Sequence, residues 1–193
     1  MSHEAQISRT SPTAFLFLVD QSGSMMDKMS SGKTKAEFVS DVLNKTIMDL
    51  ITRCSKSEGI RDYFDIGVLG YGHQGVSNGF SGVLGNQVIN PISLLEQNPL
   101  RIEDRKRKMD DGAGGIVTVL VKFPMWFEPT ANGGTPMRAA LTKTAEVLAN
   151  WCDEHPDSYP PTILHVTDGE SNDGDPEEIA LHLSQIGTND GSV

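Results

Sequence analysis

Three segments along the chain predict β-strands: residues 14–19, 65–71 and 162–167. Residues 14–19 are a continuous apolar run, which is typical of a strand buried on both faces, as in the centre of a parallel sheet. The strand at 162–167 is also expected to be buried. A glycine-punctuated segment after the second of these strands predicts an edge strand near Val83, and the alternating, β-branched residues 116–123 predict a further extended segment.

Apolar residues that recur at three- and four-residue steps predict an amphipathic helix over residues 33–55. They are Val39, Leu43, Ile47, Leu50 and Cys54. A second helix is predicted over residues 136–152, with Thr135 as its N-cap and a proline at its first position. A last helix is predicted over residues 176–187, capped by Asp175.

This alternation of strands and helices predicts a single α/β domain with its core at about residues 14–187. We expect a doubly wound, mostly parallel sheet with helices on both faces, in which ligands bind at the carboxyl ends of the strands. Residues 86–115 are expected to form an irregular insertion. Within it, the charged run 101–111 lacks apolar periodicity and is expected to be a solvated, mobile loop.

Charge and composition narrow the classes of partner. The net charge of −10 argues against nucleic acid and anionic membranes as partners. No segment approaches the ~18 consecutive apolar residues of a membrane span, and the polar N-terminus has no secretory pattern, so we expect a cytoplasmic protein. Cys54 and Cys152 have no CxxC neighbour, which favours buried free thiols, although a disulfide stays open.

Five oxygen-bearing side chains lie in three predicted loops. Asp20, Ser22 and Ser24 alternate after the first strand, Thr135 follows a Gly-Gly pair, and Asp168 follows the last strand. Without histidine or cysteine, such a donor set favours Mg²⁺, with Mn²⁺ or Ca²⁺ as alternatives, over Zn²⁺. Taken singly, the serines could cap a turn and Thr135 could serve only as an N-cap.

These residues resemble the metal-ion-dependent adhesion site of von Willebrand factor A (VWA) domains, in which Asp-x-Ser-x-Ser, a loop threonine and an Asp-Gly follow in this order. The resemblance covers residues 15–187 and implies a Rossmann-like fold. It also implies that the two serines and, in one state, Thr135 contact the metal, while the aspartates often act through water. The family pattern continues with another strand and a terminal helix, which we do not find after residue 187.

The resemblance implies a function in binding rather than catalysis. A cation held largely by neutral hydroxyls keeps affinity for a further ligand, and an Asp or Glu of a protein partner can supply it. A scaffold subunit of an ATPase-type complex is an alternative with the same site. A phosphatase resembling the haloacid dehalogenases is a further alternative, but its mechanism needs a second aspartate as general acid where this chain has Ser22.

Two further groups of residues are open to more than one interpretation. Trp126 and Phe127 are expected in the core, with partner contact as the alternative. Glu170, Asp173 and Asp175 are expected to form an acidic loop and helix cap, although a second cation site is conceivable.

Overall fold

The central sheet is built around three neighbouring parallel strands. The structure is a computed structural model and describes residues 3–72, 74–112 and 114–193. The sheet contains β1 (Thr13–Asp20), β4 (Phe64–Gly72), β5 (Gly75–Asn78), β6 (Ile89–Pro91) and β9 (Thr162–Val166). The remaining strands form three separate two-stranded sheets: β2 (Ser55–Lys56) with β3 (Gly59–Ile60), β7 (Arg101–Asp110) with β8 (Ile116–Met125), and β10 (Gly187–Thr188) with β11 (Gly191–Ser192).

The sheet is mixed rather than mostly parallel as expected. Strand β1 pairs in parallel with β4 on one side and with β9 on the other. Strands β5 and β6 both pair with β4 and are antiparallel to it. These antiparallel strands arise because short connections turn the chain back beside β4, whereas parallel pairing needs a longer crossover.

Two apolar clusters lie on opposite faces of the sheet. Phe17 and Val19 of β1 belong to the cluster with Leu43 and Ile47 of helix α1 (Lys35–Cys54). Leu16 and Leu18, whose side chains alternate with these, belong to the cluster with residues of helix α3 (Met137–Glu154). Continuous apolar composition in β1 is therefore required, because both of its faces are covered.

Local sequence signals determine where the helices begin. Thr34 and Glu37 form a reciprocal capping box at the start of α1. The short helix α2 (Ile92–Gln97) and the helix α4 (Glu177–Leu183) follow prolines, which suit the start of a helix. Asp175 accepts a hydrogen bond from the backbone N–H of Glu177 at 2.9 Å, but the N-cap is Pro176, one residue later than predicted, and the helix ends earlier than predicted.

Three sequence predictions about the chain between β4 and β8 were wrong. The region around Val83 is a short 3₁₀ helix, Gly82–Asn86, and the edge strand is β5 instead. Segment 86–115 is not irregular, since it contains β6, α2 and β7. The charged run 101–111 falls largely in β7, which pairs residue by residue with β8 over ten positions. The strand was not predicted because both faces of β7 are largely exposed to solvent, so its side chains are polar and show no apolar alternation.

Other core predictions are confirmed. Trp126 and Phe127 are buried, at 3% and 2% exposure. Cys54 and Cys152 are buried free thiols. Among the described residues, no helix combines the length and apolar character needed to cross a bilayer.

Candidate functional site

Parallel pairing of β1 with β9 brings two aspartates to the same edge of the sheet. Asp20 is the last residue of β1, and Asp168 lies two residues beyond the end of β9. Val19 of β1 is in register with Val166 of β9, so the loops that follow leave the sheet side by side. The position is the carboxyl edge at which α/β sheets bind ligands.

Asp20 is held in place by two hydrogen bonds and is only 1% exposed. Its Oδ1 accepts from the backbone N–H of Ser22 at 2.8 Å. Its Oδ2 accepts from the hydroxyl of Thr167 at 2.8 Å. Thr167 was not identified from the sequence, and its position next to Asp168 was the one available signal. The Asp20 carboxylate is therefore oriented before any ligand binds.

A chain of oxygen atoms connects the serine loop to Asp168. The hydroxyls of Ser22 and Ser24 lie 3.0 Å apart, and the hydroxyl of Ser24 donates to Oδ1 of Asp168 at 2.7 Å. Because a serine hydroxyl has one proton, Ser22 must donate to Ser24 in this arrangement. Ser22 is 2% exposed whereas Ser24 is exposed, so the chain runs from the protein interior to the surface.

The loop that carries Thr135 packs against the serine loop through its backbone. The N–H of Gly23 donates to the carbonyl oxygen of Gly133 at 2.9 Å, and the N–H of Asn132 donates to that of Gln21 at 2.7 Å. Gly133 has a φ of 80°, in the left-handed region that favours glycine. Thr135 itself is 9% exposed.

Thr135 approaches the Asp168 loop, but it is not the side-chain N-cap that the sequence predicted. A Cβ built at Gly169 would lie 3.9 Å from the Thr135 hydroxyl oxygen. The N-cap of α3 is Pro136, with no side-chain capping bond. The ψ of 65° at Pro136 delays the helix by one residue, and Asp173 accepts the first free N–H groups instead, from Arg138 and Ala139 at 2.9 and 2.8 Å. The Thr135 hydroxyl is thus not used by the helix.

The capping role of Asp173 bears on the proposed acidic loop. Partial burial would raise the pKa of this carboxyl, but the N–H groups of Ala139 and Arg138 and the Ser171 hydroxyl outweigh it and lower the pKa. Asp173 and Asp175 both accept backbone N–H groups, which agrees with the expected acidic loop and cap. Within the described ranges, no group of three or more His, Cys, Asp or Glu side chains could hold a metal ion. The five-residue set has only two carboxylates and is not a group of that kind.

Lys35, which sequence analysis missed, contributes a positive charge at this edge. Its Nζ donates to Oδ2 of Asp168 at 2.6 Å and to Oδ2 of Asp27 at 3.1 Å. Burial alone would raise the pKa of Asp168, but hydrogen bonds from Lys35 and Ser24 outweigh it and lower that pKa. Asp168 therefore stays ionised, with Oδ1 directed to the serines and Oδ2 to the lysine.

A partly buried hydrogen bond lies close to the site. The hydroxyl of Tyr71 in β4 and Nε2 of His165 in β9 are 2.7 Å apart. Burial raises the pKa of Tyr71, as do the nearby charges of Asp20 and Asp168 to a smaller degree, so its hydroxyl stays protonated. The pair links β4 and β9, the two strands that flank β1, near the end of β1 where Asp20 lies.

Comparison with solved structures finds a similar fold. No family model matches the chain, and no curated protein matches it. The fold is similar to the crystal structure of the vWF domain of the type V pili tip protein Mfa5 from Porphyromonas gingivalis, with 15% sequence identity and a TM-score of 0.43. The match covers 83% of this chain and 39% of that chain, so this chain spans less than half of its length.

Proposed function

We propose that this chain is a VWA-type protein-interaction module that binds an acidic side chain of its partner through one divalent cation. Asp20, Ser22, Ser24, Thr135 and Asp168 would hold the cation, which we propose to be Mg²⁺, with Mn²⁺ or Ca²⁺ as substitutes. When bound, the cation would supply positive charge and an open coordination position. The partner would be a protein with an Asp or Glu side chain, rather than nucleic acid or membrane.

The oxygen spacing around Ser24 carries the proposal. Magnesium–oxygen bonds of 2.0–2.1 Å at right angles put neighbouring ligand oxygens about 2.9 Å apart. The Ser22–Ser24 and Ser24–Asp168 oxygen separations are 3.0 and 2.7 Å. The Ser24 oxygen therefore already lies at the spacing of neighbouring octahedral ligands from the Ser22 oxygen and from the Asp168 oxygen, and the donors are the hard oxygens that Mg²⁺ prefers.

The chemistry of the donors favours recognition of a carboxylate. Ser22, Ser24 and Thr135 are neutral, so a doubly charged cation beside them would remain under-compensated. An acidic partner group would ordinarily be repelled by a chain of net charge −10. The cation would reverse this repulsion locally, which makes the interaction dependent on metal.

The proposal also includes the absence of phosphatase activity. The hydroxyl of Ser22 occupies the place where such a mechanism needs a carboxylic general acid, and its hydrogen bond goes to Ser24. We expect no turnover of an aryl phosphate in the presence of Mg²⁺. Sustained turnover that disappears in Asp20→Asn would contradict the proposed function.

Calorimetric titration with Mg²⁺ and Mn²⁺ tests the site itself. We expect one binding event in the wild type and none in Asp20→Ala or in the nearly isosteric Asp20→Asn. Asp49→Ala is the matched control, because Asp49 is an exposed aspartate on α1, and it should bind as the wild type does. Far-UV circular dichroism of each variant verifies folding. Undiminished binding in folded Asp20→Asn would reject the site.

Partner binding is tested by capture from a lysate of the native host with Mg²⁺ and with EDTA. For a partner identified in this way, chelation should weaken the complex by at least ~10-fold, or about 1.4 kcal/mol. Replacement of one specific Asp or Glu in the partner should have the same effect. Equal affinity with and without chelator would mean that the cation does not take part in the interface.

A further inference from the structure

The hairpin formed by β7 and β8, here called the arm, is separate from the central sheet. Ten paired residues at ~3.3 Å each make it roughly 33 Å long. Only its base is anchored: Phe123 and Met125 are buried, and Arg105 donates to Asp41 of α1 at 2.7 Å while it stacks 3.8 Å from the centre of the Phe123 ring. Isolated two-stranded hairpins are at best marginally stable in water, so the distal half needs a further source of stability.

One face of the arm, here called the outer face, combines exposed apolar and basic side chains. Strand alternation and the pairing register place the even-numbered residues on it, including Ile102, Lys106, Lys108, Ile116, Leu120 and Lys122, together with the acidic Asp104, which pairs with Lys122, and Asp110. Ile102, Ile116 and Leu120 are 60%, 75% and 68% exposed. Large aliphatic side chains concentrated on one exposed face are typical of protein-interaction surfaces.

The arm has a charge opposite to that of the rest of the chain. Residues 101–125 contain six basic and four acidic residues, a net charge of +2, so the remainder of the chain carries −12 of the total of −10. The basic residues at the base are paired with acidic neighbours. Lys106, Arg107 and Lys108, further along β7, form no ion pair with any described residue.

A complementary surface exists on the same chain. Residues 168–178, here called the acidic segment, contain six acidic residues and no basic residue, and nearly all are exposed. Three of the six are engaged internally: Asp173 with the start of α3, Asp175 with the N–H of Glu177, and Asp168 with Lys35. Glu177 and Glu178 open α4 and are exposed, with one 3.9 Å approach of Glu178 to Arg138.

We propose that the arm is a dimerisation element whose outer face docks on the acidic segment of a second copy of this chain. Two copies related by a twofold axis would exchange arms, so that each basic outer face meets an acidic surface. Contact between two outer faces is disfavoured because it would bring Lys106 and Lys108 of both copies together. The dimer contact does not require a cation, but the acidic segment begins at Asp168, one of the proposed metal ligands, so the contact would border that site.

The dimensions of the arm are sufficient for such an interface. A hairpin about 33 Å long and about 10 Å wide offers a face of roughly 300 Å². Two reciprocal contacts, counted on both partners, bury on the order of 1,200 Å², which exceeds the ~1,000 Å² expected of a specific interface. Burial of three exposed aliphatic side chains per arm supplies the apolar centre, and the lysines supply the charged rim.

Sedimentation equilibrium of the full chain with charge-reversed variants tests the proposal. One variant carries Lys106→Glu and Lys108→Glu on the arm, and the other carries Glu177→Lys and Glu178→Lys in the acidic segment. The wild type should dimerise at concentrations up to about 100 µM in low salt, with a dissociation constant that rises at least ~10-fold in high salt as the charges are screened. Each variant alone should be monomeric.

An equimolar mixture of the two variants gives the decisive result. In the mixture, the acidic arm of one variant faces the two lysines introduced at the start of α4 in the other, and the wild-type arm faces the wild-type segment, so both contacts gain opposite charges and dimers should return. Lys143→Glu with Lys45→Glu is the control, because it changes the charge equally and lies outside both surfaces. Circular dichroism verifies that each variant is folded. A monomeric wild type, a dimer insensitive to either variant and to salt, or a mixture that stays monomeric would each overturn the proposal.

Discussion

Replacement of Asn44 by alanine should cost far more stability than an average helix substitution. Asn44 is fully buried in α1, and its Oδ1 accepts hydrogen bonds from the backbone N–H groups of Trp126 and Phe127 at 2.7 and 3.0 Å. Its Nδ2 donates to the carbonyl oxygen of Phe127 at 2.8 Å. This amide therefore ties helix α1 to the chain between the arm and the Thr135 loop.

The magnitude follows from the groups that would be left without partners. In Asn44→Ala the carbonyl oxygen of Phe127 keeps the hydroxyl of Ser40, which donates to it at 2.8 Å. The N–H groups of Trp126 and Phe127 keep no acceptor, and each buried unsatisfied donor costs ~1–3 kcal/mol. We therefore expect a loss of about 4 kcal/mol, a large part of the ~5–15 kcal/mol that stabilises a typical domain.

Urea denaturation followed by circular dichroism measures this loss, provided that the m-value stays at that of the wild type. Thr46→Ala is the control, because Thr46 lies on the same helix and donates only to the carbonyl oxygen of Val42 at 2.9 Å. Its effect should stay within about 0.5 kcal/mol, as expected for a surface substitution. A loss below about 1.5 kcal/mol in Asn44→Ala would refute the reasoning, since two orphaned donors cost more than that.

Three further predictions concern the site, the pH dependence of stability and the thiols. Thr135→Ala should weaken metal binding in calorimetry. It should leave the urea midpoint nearly unchanged, because the Thr135 hydroxyl forms no capping bond. An unchanged metal affinity would remove Thr135 from the proposed ligands. Burial raises the pKa of Asp65, and this outweighs the hydrogen bond from Trp151. Neutral Asp65 therefore stabilises the fold at low pH and this contribution is lost as the pH rises above about 3.9, so the stability gained in Asp65→Asn should grow with pH in urea titrations; a pH-independent difference would contradict this. Burial raises the pKa of Cys54 and raises that of Cys152 to about 11, so neither thiol should react with Ellman's reagent in the native state at about pH 8; rapid native labelling would count against it.

Much of the central architecture could be predicted from the sequence because it depends on local patterns. Residues 14–19 form a continuous apolar run, and the structure places the buried strand β1 there. A strand was also predicted at residues 162–167, where β9 lies, but its predicted burial was wrong, because β9 is at the edge of the sheet and its residues are exposed or half-buried. The three- and four-residue apolar steps after residue 33 correspond to helix α1. When both faces of a strand or one face of a helix are buried, the apolar residues follow a regular pattern along the chain, and this pattern can be recognised in the sequence.

The arm shows where such patterns carry no information. Strand β7 is mostly charged, and its side chains are exposed on both faces, so hydrophobic periodicity is absent. Backbone hydrogen bonds to β8 hold β7 in the strand conformation, and ion pairs such as that of Lys122 with Asp104 at 2.7 Å support them. Backbone hydrogen bonds do not depend on side-chain identity, and so composition alone predicted a loop.

The sequence by itself determined which oxygen donors are available and that Asp20 and Asp168 each lie at or just past the end of a strand, whereas the pairing of those strands was shown by the structure. Only the tertiary structure decided which groups orient them. Thr167 lies 147 positions from Asp20, Lys35 lies 133 positions from Asp168, and Asn44 lies 82 positions from Trp126. Each of these bonds depends on how helices and loops pack around β1. The sequence position of a hydroxyl, an ammonium or an amide does not indicate which distant group it will bind.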